Sequence, residues 1–340
     1  MSDFQRLLDA IPGDPNVAFI LADYLEERGD PRCELLRLSY TLKDLEGIGP
    51  VVGRQIVDDR QGGANRPKIE YEITPERLAM EERLRELLLV EKLEPVVPKV
   101  TNELGMEFAW VPPGTFLMGS PESEEERDDN ETQHRVTLTK GLYVGTTAVT
   151  QRHWQSVMGN NPSHFTGEDT LPVECVSWDD CQAFVQALNT SEKSHRNVPG
   201  RKGGKFALLT EAQWEYACRA GTTTEYYSGN GVEALREVGW YGYDYGNSNK
   251  TTHSVHQLKP NAWGLYDMHG NVWEWCQDRF DDYPNKDIKD PQGVQSGSGR
   301  VLRGGSWDIT PALCRSACRC WDAPDLRSSD IGCRVAFRLD

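Results

Sequence analysis

The feature that most constrains the fold is a change in amino-acid composition and apolar pattern near residue 102. Beyond this point the sequence is rich in Trp, Gly and Asn, and short apolar stretches alternate with long loops. This pattern predicts an α+β domain of short strands, and no fixed-period repeat is evident. At 340 residues the chain has room for this domain and a smaller one.

Only two segments of the large region carry a clear helical pattern. The first begins at Ser177, whose hydroxyl can cap the first turn, and Asp180 lies favourably within that turn. The second begins at Thr210, which forms a capping-box pattern with Gln213, and Gly221 can end it. We therefore expect two helices among strands and loops.

The first 45 residues predict a small helical module. Apolar residues keep a helical period from Phe4 to Ile11, a Gly-Asp-Pro stretch breaks it, and the period resumes over 17–25 and 35–38. The stretch DAIPGDPNVAFILADYLEERGDPRCELLRL resembles a repeat-companion module found at the start of many planctomycete and myxobacterial proteins. That resemblance implies no chemistry, and we expect this module to dock a protein partner.

A linker and a further helix are expected before the large domain. Residues 46–75 are rich in Gly and polar residues, whereas residues 76–93 carry apolar positions suited to an amphipathic helix. The boundary lies near 95–98. We therefore divide the chain into a helical module (1–45), a linker with a helix (46–98) and a large domain (99–340).

The charge balance excludes several classes of partner. A formal net charge of −16 disfavours nucleic acid and anionic membrane surfaces, although residues 300–340, with seven Arg, no Lys and five Asp, are mildly basic. No apolar run approaches the roughly 18 residues of a membrane span. The first 15 residues lack the pattern of a secretory signal, so we expect a cytoplasmic protein without membrane insertion.

Five segments of the large domain occur in a fixed order: NELGMEFAWVPPGTFLMGS, LPVECVSWDDCQAF, LLTEAQWEYACRAG, NAWGLYDMHGNVWEW, and RVLRGGSW followed by GCRVAF. Together they resemble the formylglycine-generating, sulfatase-modifying family. The resemblance implies a C-type lectin fold of the formylglycine-generating enzyme type. It is much less specific for activity, because one fold hosts many functions.

The resemblance also implies where copper would bind in an active member. The enzymes of this family hold Cu(I) with two cysteines five positions apart, because Cu(I) favours soft thiolate ligands. Counted from the Gly304–Ser306 motif, these positions are Ile309 and Cys314. Ile309 cannot ligate copper, and Cys318 or Cys320 would replace it only in a rebuilt loop, so we expect no copper.

A related branch of the family makes sulfoxides at an iron site of three histidines. The seven His of this chain show no close helical pair, so we expect each to be solvated or hydrogen-bonded. A formylglycine-generating or sulfoxide-forming oxidoreductase with an altered metal site is the alternative function. A degenerate member of the family that acts as a regulatory or sensory module is a third.

The segment 300–337 departs from the family pattern in an informative way. Between fixed family positions lie side chains with no period of 2 or 3.6, and each of them is encoded by a codon reached from AAC by changing its first two bases. The segment contains no Lys, Glu, Gln or Met, which that codon cannot reach. The residues are Asp308, Ile309, Thr310, Leu313, Cys318, Cys320, Ala323, Asp325, Leu326, Ser328, Ser329 and Ile331.

This layout resembles the variable region of the target proteins of diversity-generating retroelements, which use the same type of lectin fold. The resemblance implies a protein that displays the twelve side chains to a protein or small-molecule ligand. A rigid loop scaffold can present changing side chains as an antibody paratope does. Trp307 and Trp321 cannot be reached from AAC, so we expect them, with Cys314, to form the fixed scaffold at or under the floor of the surface.

The cysteines of this segment allow other interpretations. A C-x3-C-x-C zinc site would need a fourth ligand and a recognised spacing. A disulfide between Cys318 and Cys320 is sterically poor, because alternate residues of a strand lie too far apart. The remaining alternative is that both cysteines fill the core. We expect five further cysteines to be small buried hydrophobic residues: Cys33, Cys175, Cys181, Cys218 and Cys276.

A calcium site is predicted in the motif LYDMHGNVWEW. Calcium favours a mixture of carboxylate and backbone oxygens, and Asp267 and Glu274 flank a Gly-Asn turn. The family resemblance implies a structural calcium ion bound by these two side chains and by the carbonyls of Gly270 and Val272. A second family site maps weakly to Asn247 and Asn249. The alternative is an acidic pair that accepts hydrogen bonds from backbone amides.

Overall fold

A computed structural model describes residues 1–50, 71–199, 203–242, 246–297 and 299–339. The predicted linker falls largely on residues 51–70, outside the described residues. The helices are α1 (Asp3–Ala10), α2 (Val17–Glu26), α3 (Arg32–Thr41), α4 (Pro75–Arg85), α5 (Gln151–Met158), α6 (Trp178–Thr190), α7 (Glu192–His195), α8 (Glu211–Arg219) and α9 (Val232–Arg236). A π-helical turn (Glu86–Val90) extends α4. In the part of the chain that the structure describes, every helix is too short or too polar to span a lipid bilayer.

Short strands make up the rest of the regular structure. They are β1 (Ile48–Pro50), β2 (Tyr71–Ile73), β3 (Lys99–Thr101), β4 (Glu107–Val111), β5 (Gly114–Met118), β6 (His134–Leu138), β7 (Leu142–Gly145), β8 (Lys205–Leu208), β9 (Gly239–Trp240), β10 (His269–Gly270), β11 (Trp273–Arg279), β12 (Ile288–Lys289), β13 (Arg300–Arg303), β14 (Cys320–Asp322), β15 (Ile331–Cys333) and β16 (Val335–Arg338). The mixture of helices and short strands confirms the α+β class.

Two sheets determine where the C-terminal segment lies. A five-stranded antiparallel sheet has the order β3-β4-β7-β16-β8, so the last strand of the chain lies near its centre. A four-stranded sheet has the order β14-β13-β11-β15, with β15 parallel to β11 and the other pairs antiparallel. The chain between β13 and β15 therefore begins and ends in one sheet.

The two helices predicted in the large domain are α6 and α8. The Ser177 hydroxyl accepts from the Asp180 amide and the Asp180 carboxylate accepts from the Ser177 amide, which completes a capping box on α6. Thr210 and Gln213 make the same exchange on α8. The prediction that Gly221 ends α8 is wrong by one residue, because Ala220 adopts the left-handed conformation that caps it.

The N-terminal helices share their core with the large domain. Ile11, Leu21 and Tyr40 belong to one buried apolar cluster with Trp110 and Tyr143. Arg77 on α4 joins the two regions further, since its guanidinium donates to the carbonyls of Leu42 and Gly221 at 3.1 and 2.8 Å. These contacts make the helical module part of the packed structure.

Candidate binding surface

The segment between β13 and β15 has little regular structure. It contains a short 3-10 helix (Pro311–Cys314) and the edge strand β14, and the rest is loop. A loop of this length keeps one conformation only if its backbone polar groups find partners within the protein. The partners are backbone groups of distant segments, such as those of Glu225, Gly242 and Asn271, together with several side chains.

Arg315 provides one anchor. Its guanidinium donates to Glu124 at 2.6 Å, to Glu131 at 2.7 and 2.9 Å, and to the carbonyl of Glu126 at 2.8 Å. The side chains of Arg315 and Glu131 are almost completely buried. Separating this buried ion pair is costly, because each partner would be left as an uncompensated charge. The pair therefore holds the segment firmly against the loop 121–131.

Arg303 provides a second anchor, at the end of β13. It donates to three successive backbone carbonyls, those of Ser316, Ala317 and Cys318, at 2.6–2.9 Å. Its guanidinium also pairs with the buried carboxylate of Glu215. A single planar guanidinium thus satisfies a stretch of backbone that no neighbouring strand can reach.

Arg319 provides a third anchor and is itself held by a helix. It donates to Glu211 on α8 at 2.6 and 3.0 Å and to the carbonyl of Asn130 at 2.9 Å. The amide of Glu211 donates in turn to Asp278 at 3.0 Å. Burial raises the pKa of the Asp278 carboxyl to about 7, and the nearby Glu211 charge adds to this effect.

Neutral hydrogen bonds complete the scaffold. The indole of Trp307 donates to the carbonyl of Ser329 at 3.0 Å, which joins the two ends of the segment. His269 lies 2.7 Å from the carbonyl of Cys314, and its other ring nitrogen accepts from the Tyr227 amide, so the nitrogen facing Cys314 carries the proton. Burial lowers the pKa of His269 to about 3, so this histidine is neutral.

Ten of the twelve side chains predicted for display are at least partly accessible. Asp308, Leu313, Ala323 and Asp325 are exposed. The half-buried ones are Ile309, Thr310, Cys320, Leu326, Ser328 and Ser329. They fall in two accessible runs, 308–313 and 320–329, which are separated by the buried residues 314–319.

Two placements predicted from the sequence are wrong. Cys318 is fully buried within the main apolar cluster, and Ile331 is buried where β15 pairs with β11. Neither side chain can contact a ligand at the surface. Trp321 lies at the surface rather than beneath it, because the residue is 51% exposed on β14. The other scaffold residues, Trp307 and Cys314, are buried.

The two copper positions implied by the family lie together at Gly305. A Cβ on this glycine would contact both the Cys314 sulfur and the Ile309 side chain. Ile309 and Cys314 belong to an apolar cluster with Tyr226 and Tyr241. Burial raises the pKa of the Cys314 thiol, which therefore stays protonated in surroundings that do not favour a metal-binding thiolate.

The alternative metal and disulfide interpretations gain no support from the geometry. All nine cysteines are free thiols. Among the described residues, no three His, Cys, Asp or Glu side chains form a group that could hold a metal ion. Burial raises the pKa of Cys318 to about 12, so its thiol is protonated. Burial of Cys318 thus agrees with the core-filling alternative.

The predicted calcium ligands fit a cation only in part. One carboxylate oxygen of Asp267 is buried without a hydrogen-bond partner, as a vacant ligand would be. Burial raises the pKa of Asp267 to about 6. The Glu274 carboxylate, in contrast, accepts from Arg334 at 2.8–3.1 Å and from Trp214 at 2.7 Å. Glu274 is therefore corrected to an internal ion-pair partner, while Asp267, Gly270 and Val272 stay predicted ligands.

The second, weaker calcium position is also partly engaged. The Asn247 side chain accepts from the Tyr241 amide at 3.1 Å and donates to the Gly239 carbonyl at 2.9 Å. Both of its polar atoms thus serve the local loop. Asn249 adopts a left-handed backbone conformation, which asparagine tolerates well.

Sequence reasoning missed the residues that hold the segment in place. Residues 300–340 were expected to be mildly basic, but this charge does not reach the surface. The arginines at 303, 315, 319 and 334 are buried and paired. The one available signal was the use of Arg without Lys, since Arg is the cation preferred in buried bidentate pairs. Nothing in the sequence identified their acidic partners.

Comparison with known proteins identifies the family of this domain. The family of sulfatase-modifying factor enzyme 1-like domains matches residues 94–339. The chain belongs to this family. The formylglycine-generating enzyme of Streptomyces coelicolor is 34% identical over 204 residues, which cover 55% of this chain and 59% of that enzyme. The chain thus spans about three fifths of that relative's length.

Two solved structures of similar proteins agree with this assignment. Treponema denticola variable protein 1 has a TM-score of 0.61 and 32% identity, and the match covers 71% of this chain and 98% of that chain. PvdO from Pseudomonas aeruginosa has a TM-score of 0.60 and 26% identity at the same coverages. The predicted resemblance to a variable protein with a C-type lectin fold of the formylglycine-generating enzyme type is confirmed.

The separation of buried and accessible positions predicts unequal tolerance of substitution. We expect Leu313→Ser and Asp325→Ala to change the free energy of unfolding by less than about 0.5 kcal/mol, because both side chains face solvent. Ile331→Ala should cost about 2–4 kcal/mol, because it leaves a cavity in the core. Urea unfolding of the three variants measures the difference, and equal losses would contradict the assigned placements.

The raised pKa of Asp278 predicts a pH-dependent stability difference. Its folded pKa of about 7 exceeds the unfolded value, so its stabilising contribution is present at low pH and is lost as the pH rises through 7. Asp278→Asn removes this loss and keeps an oxygen that can accept from Glu211. The free energy of unfolding of the variant minus that of the wild type should rise between pH 4 and 8, by up to about 4 kcal/mol. A difference that stays constant with pH would contradict this.

Proposed function

We propose that this protein binds ligands through a C-terminal surface that a diversity-generating retroelement diversifies. The observation that carries the proposal is the coincidence of two independent patterns. Ten of the twelve positions that lie outside the fixed family pattern, all reachable from an AAC codon, are accessible, while Arg315, Arg319 and Trp307 are buried and hydrogen-bonded. Departure from the family pattern and accessibility therefore select largely the same residues.

The anchors suit a surface whose side chains change. Arg303, Arg315 and Arg319 bond to backbone carbonyls and to carboxylates, and none of these contacts involves a displayed side chain. Replacing a displayed residue thus leaves the backbone held as before. Such preorganisation lowers the ordering cost of binding, which is the logic of a matured paratope. The similarity to a protein named variable protein 1 supports the same proposal.

The ligand class is left open by this proposal and includes proteins and small molecules. A cytoplasmic location and a protein partner for the N-terminal module remain predictions from the sequence. The oxidoreductase alternative finds its best candidate thiol, Cys314, buried and protonated beside Ile309. Copper-dependent oxidation of a cysteine peptide, abolished by Cys314→Ala, would favour that alternative.

The genomic neighbourhood tests the proposed function most cheaply. We expect a near-copy of the segment encoding residues 300–337, altered only where the copy has adenine, beside a reverse transcriptase gene. The codons of Trp307 and Trp321 should be identical in the two copies, because adenine-directed changes to AAC cannot produce Trp. Sequencing the flanking DNA measures this. A locus with neither a near-copy nor a reverse transcriptase would contradict the proposal.

We also propose calcium binding at Asp267. Its unpartnered Oδ1 and raised pKa mark a buried carboxylate whose charge is only partly compensated, by the His256 amide and Arg334, and calcium would complete that compensation. Added calcium should raise the melting temperature, and a chelator should reverse the rise. Asp267→Ala should melt at the same temperature with and without calcium. A wild-type melting temperature that changes with neither calcium nor chelator would contradict the proposal.

A further inference from the structure

Trp321 is the most exposed large apolar side chain of the C-terminal segment. Its side chain is 51% exposed, and that of Leu313 is 37% exposed. Unlike Leu313, Trp321 cannot arise from an AAC codon, so under the proposed function it is the same in every diversified version. A constant, exposed aromatic residue among changing neighbours is available to every ligand.

The indole is held in one orientation by its surroundings. A Cβ at position 299 would overlap its ring atoms, so the absence of a side chain at Gly299 makes room for the indole. The ring of Phe280 lies 6.0 Å away at an interplanar angle of 34°. Phe280 is fixed in turn by the buried guanidinium of Arg319, 4.5 Å from its centroid. Trp321 is therefore preorganised to receive a ligand group.

The charges around this segment are mostly negative on the outside. Arg303, Arg315 and Arg319 are buried in ion pairs, and the exposed Arg327 pairs with Asp180 at 2.8 Å. The guanidinium of Arg300 lies over the ring of Trp178, 3.5 Å from its centroid. The cations of the segment are thus engaged within the protein.

The loop 121–131 adds constant negative charge beside the segment. Arg315 and Arg319 fasten this loop to the segment through Glu124, Glu131 and the carbonyl of Asn130. Arg319 directly precedes Cys320 of β14 and donates to the Asn130 carbonyl at 2.9 Å, which places the loop near β14. Its outward carboxylates are Glu125, Glu126, Asp128 and Asp129, all of exposed residues.

We propose that Trp321 and the acidic loop 121–131, which stay constant, select the class of partner. That partner is a basic protein surface that places a Lys or Arg side chain on the exposed indole of Trp321. Trp is the best ring for such a cation–π contact. The acidic surroundings attract the same partner at long range and raise its association rate. The inference rests on the proposed function and adds that the displayed side chains choose among basic partners.

Binding of deca-arginine, measured by calorimetry on the full chain at 50 and 200 mM NaCl, tests this inference. We expect Trp321→Ala to raise the Kd about 5-fold or more, and Trp321→Phe to retain most of the affinity. The variant E125Q/E126Q/D128N/D129N should raise the Kd and flatten its salt dependence. Deca-glutamate should not bind.

Two controls separate this site from general attraction by an acidic protein. The variant E72Q/E76Q/E82Q/E94Q removes the same charge from exposed residues elsewhere and should change the Kd by less than about 2-fold. Leu78→Ala, which removes an exposed apolar side chain on α4, should also leave the Kd unchanged. An unchanged Kd for Trp321→Ala, or equal losses in the two charge variants, would overturn the inference. Either result leaves the test of diversification at the gene locus unaffected.

Discussion

Buried pairing of arginine with carboxylate is the interaction on which the C-terminal region depends. Arg303, Arg315 and Arg319 each bind at least one buried carboxylate and at least one backbone carbonyl. Removing one partner of such a pair typically costs about 3–5 kcal/mol, because the remaining charge is buried without compensation. Lysine cannot replace arginine here, since one ammonium group cannot reach several carbonyls in a plane.

This form of anchoring explains how a loop segment can be both irregular and fixed. In a β-strand the backbone hydrogen-bonds to a neighbouring backbone, and successive side chains point to opposite faces. A guanidinium group instead donates hydrogen bonds to backbone carbonyls that belong to no strand. The exposed side chains of this segment, such as those of Asp308, Leu313 and Asp325, then contribute little to holding its backbone. The same pairing removes most of the segment's positive charge from the surface.

The sequence predicted the parts of this structure that depend on local patterns. The capping residues of α6 and α8 and the ordered family segments were sufficient for these two helices and the fold, whereas α5, α7 and α9 of the large domain were not predicted. The placements of Cys318 and Ile331 failed for a different reason. Burial in an irregular segment is decided by partners such as Glu131 and Glu215, which lie about one to two hundred residues away, and no period of 2 or 3.6 marks the inward side chains.

Hydrogen exchange tests the central claim, that the anchors hold the backbone regardless of the displayed side chains. The comparison is between the wild type and a chain whose ten accessible positions are all replaced by serine or, where serine is native, by alanine. The account predicts unchanged protection of the amides that bond within the segment and its neighbours, such as Trp307 to Asn271 and Ser316 to Glu225. Loss of that protection in the substituted chain would contradict the account, because the displayed side chains would then be holding the fold.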